Sequence, residues 1–325
     1  MRESPRAPGQ TCWMITVSEE KAIDYEVTAR IATEAFGSKD VVFSAQRIRW
    51  LYENGFGQGC AILAVFDDGK KVGQIVLLHQ NVYLDGKPAV ATQLIDLFVL
   101  QAYRSGQLVR SIYREVERLC EALNIRFVLA LPNENSAALN ARFLNLRPFL
   151  TLQARAGIGL WWPRASSLRY SGRLKSMPKK DAIELLSGFA TPTAENGLHW
   201  DAETLFNRMI DPIRDYSVHA TADLLLISSS RTTRGIRHVL LCGFFARSDS
   251  MVASSEVRDL IRAACHFWKQ RIFVYAGVNS RLPRLPGIAL PTRLRQPILV
   301  QLRDFETEEP EQRFDRFQLI DSDFV

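Results

Sequence analysis

Leu94-Ile95-Asp96-Leu97-Phe98-Val99-Leu100 runs directly into Gln101-Ala102-Tyr103-Arg104-Ser105-Gly106-Gln107. The first seven residues are apolar except for one acid, and they read as a strand of the buried kind. The next seven hold a short basic turn. From Gln107 to Asn124, apolar residues recur at Leu108, Val109, Ile112, Val116, Leu119, Cys120 and Leu123, which is one face of a helix. Phe127 to Leu131 is a second apolar strand, and Pro132-Asn133-Glu134-Asn135-Ser136 is a polar turn. Asn135 or Ser136 is suited to cap a further helix, Ala137 to Leu146, with Pro148 ending it. A turn that ends a strand and opens a helix presents backbone N–H groups and the positive end of the helix dipole, so it suits an anion.

Upstream, Cys12 to Val17 reads as a strand, and Glu20 to Phe36 and Phe43 to Asn54 as helices. Cys60 to Phe66, Val72 to Tyr83 and Ala89 to Leu100 form a meander, punctuated by Asp67-Asp68-Gly69 and Asp85-Gly86. Downstream, the pattern returns. A shift of 146 residues lays Phe127, Val128, Ala130 and Asn133 over Phe273, Val274, Ala276 and Asn279, and Leu94 and Phe98 over Leu240 and Phe244. A shift of 145 lays Ile112, Val116 and Cys120 over Val257, Ile261 and Cys265. Strand, helix and strand recurring in one order predict two copies of one domain. The segment Pro163 to Arg173 serves as the linker. The expected division is a flexible arm over 1–11, a first domain over 12–165 and a second over 166–325.

A 325-residue chain with 47% hydrophobic and 23% charged residues has a globular composition. No apolar run approaches the ~20 residues that span a bilayer, and the polar Met1–Gln10 segment is not a signal peptide, so the expected location is cytoplasmic. Five widely spaced cysteines without a CxxC pair, and five scattered histidines, suggest neither a disulfide framework nor a metal site. Net charge is +6, yet 304–325 holds eight acids and two arginines, leaving a basic body suited to an anionic ligand. The acid-free run Arg281, Arg284, Arg293, Arg295 and Arg303 is interleaved with Pro and Leu, not aromatics, a poor match to a single-strand binding platform. Nucleic acid binding therefore rests on charge alone.

The stretch 94–149 resembles the GNAT superfamily, the acyl-coenzyme A-dependent N-acyltransferases, and the whole chain resembles a tandem member of it with a degenerate second copy. The resemblance implies an α/β fold with a mixed sheet in each half. It implies a splayed strand end at Phe98, Val99 and Leu100 that binds the pantetheine arm through its backbone. It places the pyrophosphate over Arg104, Ser105, Gly106, Gln107, Leu108 and Val109. The family pattern is Arg or Gln, two variable positions, Gly, one variable position, then Gly or Ala. Here Arg104 is in place, but Gln107 and Val109 stand at the small-residue positions. Asn133 and Asn135 fall where the family contacts the cofactor arm. The family's thiolate-protonating Tyr falls near Phe143 or Leu144, which cannot donate a proton. Asp96 is the expected general base, because a carboxyl inside an apolar strand needs a reason. Alternation puts Leu94, Asp96 and Phe98 on one face. Tyr103, then Tyr83, are candidates for an acid, and His79 for a second base. In the second copy, Cys242 is expected at the place of Asp96, so catalysis is assigned to the first. The implied reaction moves an acyl group from acetyl-CoA or a longer acyl-CoA, or from acyl carrier protein, to a small-molecule amine, without a metal. The alternative is an inactive GNAT-like protein that binds a ligand or partner.

Overall fold

Ile15–Glu19 (β1) pairs antiparallel with Cys60–Asp67 (β2), which pairs with Lys70–Leu84 (β3), which pairs with Lys87–Val99 (β4). The helices Tyr25–Phe36 (α1) and Ala45–Asn54 (α2) lie between β1 and β2 in the chain. After β4 come Gly106–Ala122 (α3), Phe127–Ala130 (β5), Glu134–Leu144 (α4), Arg147–Leu152 (β6) and Arg155–Ile158 (β7). The second half holds Tyr170–Gly172 (β8), Lys179–Ser187 (α5), Gly197–Leu198 (β9), Ala202–Met209 (α6), Tyr216–Ala220 (β10), Leu224–Thr233 (β11) and Ile236–Ala246 (β12). Then follow Ser254–Phe267 (α7), Ile272–Tyr275 (β13), Gly277–Asn279 (β14), Ile288–Ala289 (β15), Ile298–Asp304 (β16) and Arg316–Gln318 (β17). This computed structural model describes residues 15–37, 43–159, 167–191, 195–247, 251–307 and 313–323. The expected arm 1–11, the residues Cys12 to Met14, the linker start 163–166, and Phe324 and Val325 lie outside the described residues.

The two halves repeat one topology. An antiparallel meander leads to a parallel pair, β4 with β5 and β12 with β13, and an amphipathic helix, α3 or α7, links that pair. The helices form where the apolar stripe requires a face. Leu108, Ile112, Val116, Leu119 and Cys120 of α3 pack in one core with Leu63, Leu77 and Val128. Val257, Leu260, Ile261, Ala264 and Cys265 of α7 pack in another with Leu226, Leu241 and Phe273. A third, larger core lies between the halves and joins Tyr52, Val76, Ile95 and Phe127 to Trp200, Ile227, Phe245 and Phe317. Among the described residues no helix is long and apolar enough to cross a membrane, and no group of three His, Cys, Asp or Glu is placed to hold a metal ion.

Neither sheet is built from a continuous segment. In the first, β16 lies between β5 and β6; in the second, β7 lies between β13 and β15. Each half thus donates one strand to the same position in the other half's sheet. A further seam runs from the far end of β3 through β9 and β17 to β14.

The structural repeat is offset from the sequence identity. The last rung of the parallel pair is Leu94–Ala130 in one half and Leu241–Tyr275 in the other. Leu100 N–H donates to Val72 O at 2.9 Å, and Arg247 N–H donates to Asp223 O at 2.9 Å in the same role. Thus β12 follows β4 by 147 residues and β13 follows β5 by 145, where one shift of 146 was expected for both. Phe127 faces the core between the halves and Phe273 the core under α7, so their short sequence match is out of register. The helix shift of 145 holds: Cys120 O and Cys265 O accept equivalent bonds from Ile125 and Gln270. Gly243, not Cys242, stands where Asp96 stands.

Candidate functional site

β4 and β5 pair only from Ala91–Phe127 to Leu94–Ala130. Beyond that rung β4 continues to Val99 along β3 alone, so its other edge faces a gap. A bulge sits at the start of this stretch. Ile95 pairs with Val76 and Phe98 with Gln74, so two residues of β4 oppose Ile75. Asp96 takes the bulge in a left-handed conformation, φ 49°. For a non-glycine residue that is uncommon, and Asp tolerates it better than most.

The bulge overturns the simple alternation expected for this strand. Leu94 packs under α3, while Ile95 and Asp96 both turn to the other side, toward the core between the halves. Leu97 and Val99 return to the α3 side. Asp96 therefore meets α2. Tyr52 Oη donates to Asp96 Oδ2 at 2.6 Å and accepts from Gln74 Nε2 at 2.8 Å. Tyr52 is 1% exposed, which fixes its hydroxyl between the two partners. Burial pushes the Asp96 carboxyl up to about 6; the Tyr52 hydrogen bond opposes the rise, the Asp323 carboxylate adds to it and Arg47 opposes it. Asp323 comes from the far end of the chain. Its Oδ1 accepts from Gln93 Nε2 at 3.2 Å, and Gln93 Oε1 accepts from Gln80 Nε2 at 3.0 Å. Burial raises the Asp323 carboxyl as well. A carboxylate poised near neutrality in a bulge, backed by a second acid, can take a proton from an ammonium group.

Of the expected edge Phe98, Val99 and Leu100, only Val99 faces the gap, and Leu97 joins it. Leu100 N–H is engaged by Val72 O, so Leu100 and, by strand alternation, Phe98 direct their backbone groups at β3. Leu97 and Val99 direct theirs into the gap. Arg104 then intervenes. Its Nε donates to Val99 O at 2.9 Å and its Nη2 to Ala35 O at 2.7 Å, so the guanidinium clamps the turn to β4 and α1. At the helix start, Ser105 Oγ accepts from Leu108 N–H at 3.2 Å and Ser105 O from Val109 N–H at 3.1 Å. Of the expected pyrophosphate donors, Leu108 and Val109 are thus engaged within the helix. The first-turn amides that no helical carbonyl satisfies are those of Gly106 and Gln107. A Cβ added at Gly106 would meet nothing within 4 Å, so the approach to these amides is unhindered. The residues present fit an anionic arm laid along the gap, held by Leu97, Val99, Gly106 and Gln107.

Other expected residues lie elsewhere. Tyr103 Oη donates to Asp67 at 2.9 Å, and that bond raises its pKa; Tyr83 lies against His199, ring centroids 4.7 Å apart and planes tilted by 44°. His79 sits on β3, and burial lowers its pKa. Asn133, not Asn135 or Ser136, caps α4: its side chain accepts from Ser136 N–H at 2.9 Å and its N–H donates to Ser136 Oγ at 3.0 Å. The helix begins at Glu134, a turn earlier than the apolar pattern suggests, and ends at Leu144, where Asn145 turns left-handed at φ 53° before Pro148. Asn135 is exposed. Phe143 stacks on Tyr113 at 5.6 Å, and Leu144 is buried. Tyr52, Gln74 and Gln93 were not singled out as site residues from sequence, where Phe317 to Val325 reads as a closing strand whose acids Asp321 and Asp323 are either exposed or line a shared cleft. The available signal was glutamine at 74, 80 and 93 among the apolar residues of β3 and β4.

No family model and no curated protein matches the sequence. Solved structures do. A probable N-acyltransferase from Enterococcus faecalis V583 aligns with a TM-score of 0.63 at 11% identity, over 90% of this chain and 73% of that one. A GCN5-related N-acetyltransferase from Kribbella flavida aligns with a TM-score of 0.61 at 13% identity, over 90% and 71%. N-myristoyltransferase from Saccharomyces cerevisiae, with bound myristoyl-CoA, aligns with a TM-score of 0.58 at 12% identity, over 98% and 87%. The chain has the GNAT fold. It carries that fold twice in tandem, and at these identities the likeness is one of fold.

Proposed function

We propose that the chain is an N-acyltransferase that moves an acyl group from acyl-CoA to an amine at the first half, residues 12–165, while 166–325 lacks a cofactor site of its own. The observation that carries this reading is Asp96. It is a carboxyl raised to about 6, held in a bulge just past the last β4–β5 rung and bonded to Tyr52 of α2. When bound, acyl-CoA supplies the activated thioester carbonyl. The gap edge at Leu97 and Val99 orients the arm, and the Gly106 and Gln107 amides hold its phosphates. Asp96 takes the proton of the incoming ammonium, and Tyr52, braced by Gln74, fixes which oxygen remains to do so. Burial is what lifts the Asp96 proton affinity toward neutrality, and Gln93 holds Asp323 where its charge adds to that rise.

Calorimetry with acetyl-CoA, longer acyl-CoA and acyl carrier protein tests the donor half of this reading. Binding of one of them supports it, and binding of none overturns it. A second reading, a silent GNAT-like binding protein, is favoured by Arg104 turned back onto Val99 and by apolar side chains at Phe143 and Leu144. Unchanged acylation of an amine panel by Asp96→Asn would remove Asp96 as base, and acylation by no preparation would favour the silent reading.

A further inference from the structure

The second half carries the same strand gap as the first. β12 and β13 pair only from Val239–Phe273 to Leu241–Tyr275, and β12 runs on to Ala246. Phe244, the equivalent of Leu97, turns its backbone into this gap. There the chain supplies its own partner. Phe244 N–H donates to Gln318 Oε1 at 2.9 Å, and Gln318 Nε2 donates to Phe244 O at 3.1 Å. Tyr275 Oη donates to the same Oε1 at 3.2 Å, and Asn279 Nδ2 to Phe244 O at 3.1 Å. Gln318 has no exposed surface. A carboxamide offers one acceptor and one donor in a plane, which is what an amide of a ligand arm would offer to a free strand edge.

Gln318 is also one end of a strap. Its N–H donates to Asp321 Oδ2 at 2.7 Å, and Trp200 Nε1 donates to Asp321 Oδ1 at 2.6 Å. Arg208 donates to the carbonyls of Ile320 and Ser322. Five residues after Gln318, Asp323 accepts from Gln93 in the first half. Ile320 lies 2.8 Å from where a Cβ on Gly243 would stand, so the strap needs that glycine.

We propose that the Gln318 carboxamide is an internal ligand of the second gap, standing where a cofactor amide would bind, and that this anchor holds Asp323 at the first-half site. The second half is then closed to acyl-CoA and acts as the support of the strap. This rests on reading the first gap as the acyl-CoA site, but the anchor itself is testable without it.

Amide hydrogen exchange resolved at Phe244 and over 319–323 is measured on the full chain, with and without saturating acetyl-CoA, and on Gln318→Met, which keeps the volume and removes both bonds to Phe244. In the wild type, Phe244 is protected and acetyl-CoA leaves it unchanged. In Gln318→Met, Phe244 and the 319–323 segment exchange roughly tenfold faster. Unchanged exchange at Phe244 in the variant overturns the anchor, and unchanged exchange over 319–323 overturns the strap. Altered exchange at Phe244 on adding acetyl-CoA to the wild type overturns the closed second gap, and that arm needs no variant. If acetyl-CoA changes nothing anywhere in the chain, the first-gap reading fails while the anchor still stands or falls on Gln318→Met.

Discussion

Asp96 is where charge, strain and burial meet, and its behaviour with pH is open to measurement. A base must be ionised, so turnover by the wild type is expected to fall as pH drops through about 6, and Asp96→Asn is expected to lose about 10²–10⁴-fold in kcat. Stability runs the other way. Folding raises this carboxyl above its ordinary 3.8, so the folded state holds the proton more tightly and the ionised form is a cost. That cost is absent below pH 4, grows between pH 4 and 6 and is complete above 6. Asp96→Asn is therefore expected to stabilise the fold at pH 7.5 by about 1–3 kcal/mol, read by urea melts, and to lose that advantage at pH 4. Tyr52→Phe removes the hydrogen bond that favours the carboxylate, so the acidic limb of the rate profile moves to higher pH. A limb that stays in place would show that Tyr52 does not act on Asp96.

At the scale of elements, caps and bulges decide what a helix start or strand end can bind. Ser105 draws the Leu108 amide into its cap, and Asn133 closes a capping box with Ser136. Asn133→Ala is expected to cost about 1 kcal/mol in thermal or denaturant melts and to leave acyl-CoA affinity unchanged. A large loss of affinity at unchanged stability would assign Asn133 to the ligand instead. The strands and helices of 94–149 were legible because apolar periodicity survives in the sequence. The register was not. The bulge at Asp96 flips every later side chain and backbone group of β4, so the gap-facing pair is Leu97 and Val99, whereas the resemblance had pointed to Phe98, Val99 and Leu100 together. Nothing in the local residue pattern marks that extra residue. The pairing of Asp96 with Tyr52 and Asp323 was equally hidden, because these lie 44 and 227 positions away along the chain.

Across the whole molecule, the halves are joined by exchange. β16 completes the first sheet and β7 the second, so residues 1–165 alone lack the strand between β5 and β6. Unpaired edges of that kind favour aggregation. Residues 1–165 expressed alone are expected to be insoluble or unfolded, and to become soluble when 166–325 is co-expressed. A folded, soluble first half would show that the exchange is dispensable. The repeat was legible from the order strand, helix, strand, but the exchange was not, since nothing in the residues of β7 or β16 marks which sheet they join. On the proposed reading the duplication divides the work: one half would present the gap and the base, and the other would hold the Asp323 acid near it through the strap. The most direct measurement is an amide chemical-shift titration of the full chain with acetyl-CoA. The expected result is a saturable shift of the Leu97, Val99, Gly106 and Gln107 amides with Phe244 unmoved. Saturable shifts at Phe244 and its neighbours with Leu97 and Gly106 unmoved, or no shifts at all, would contradict it.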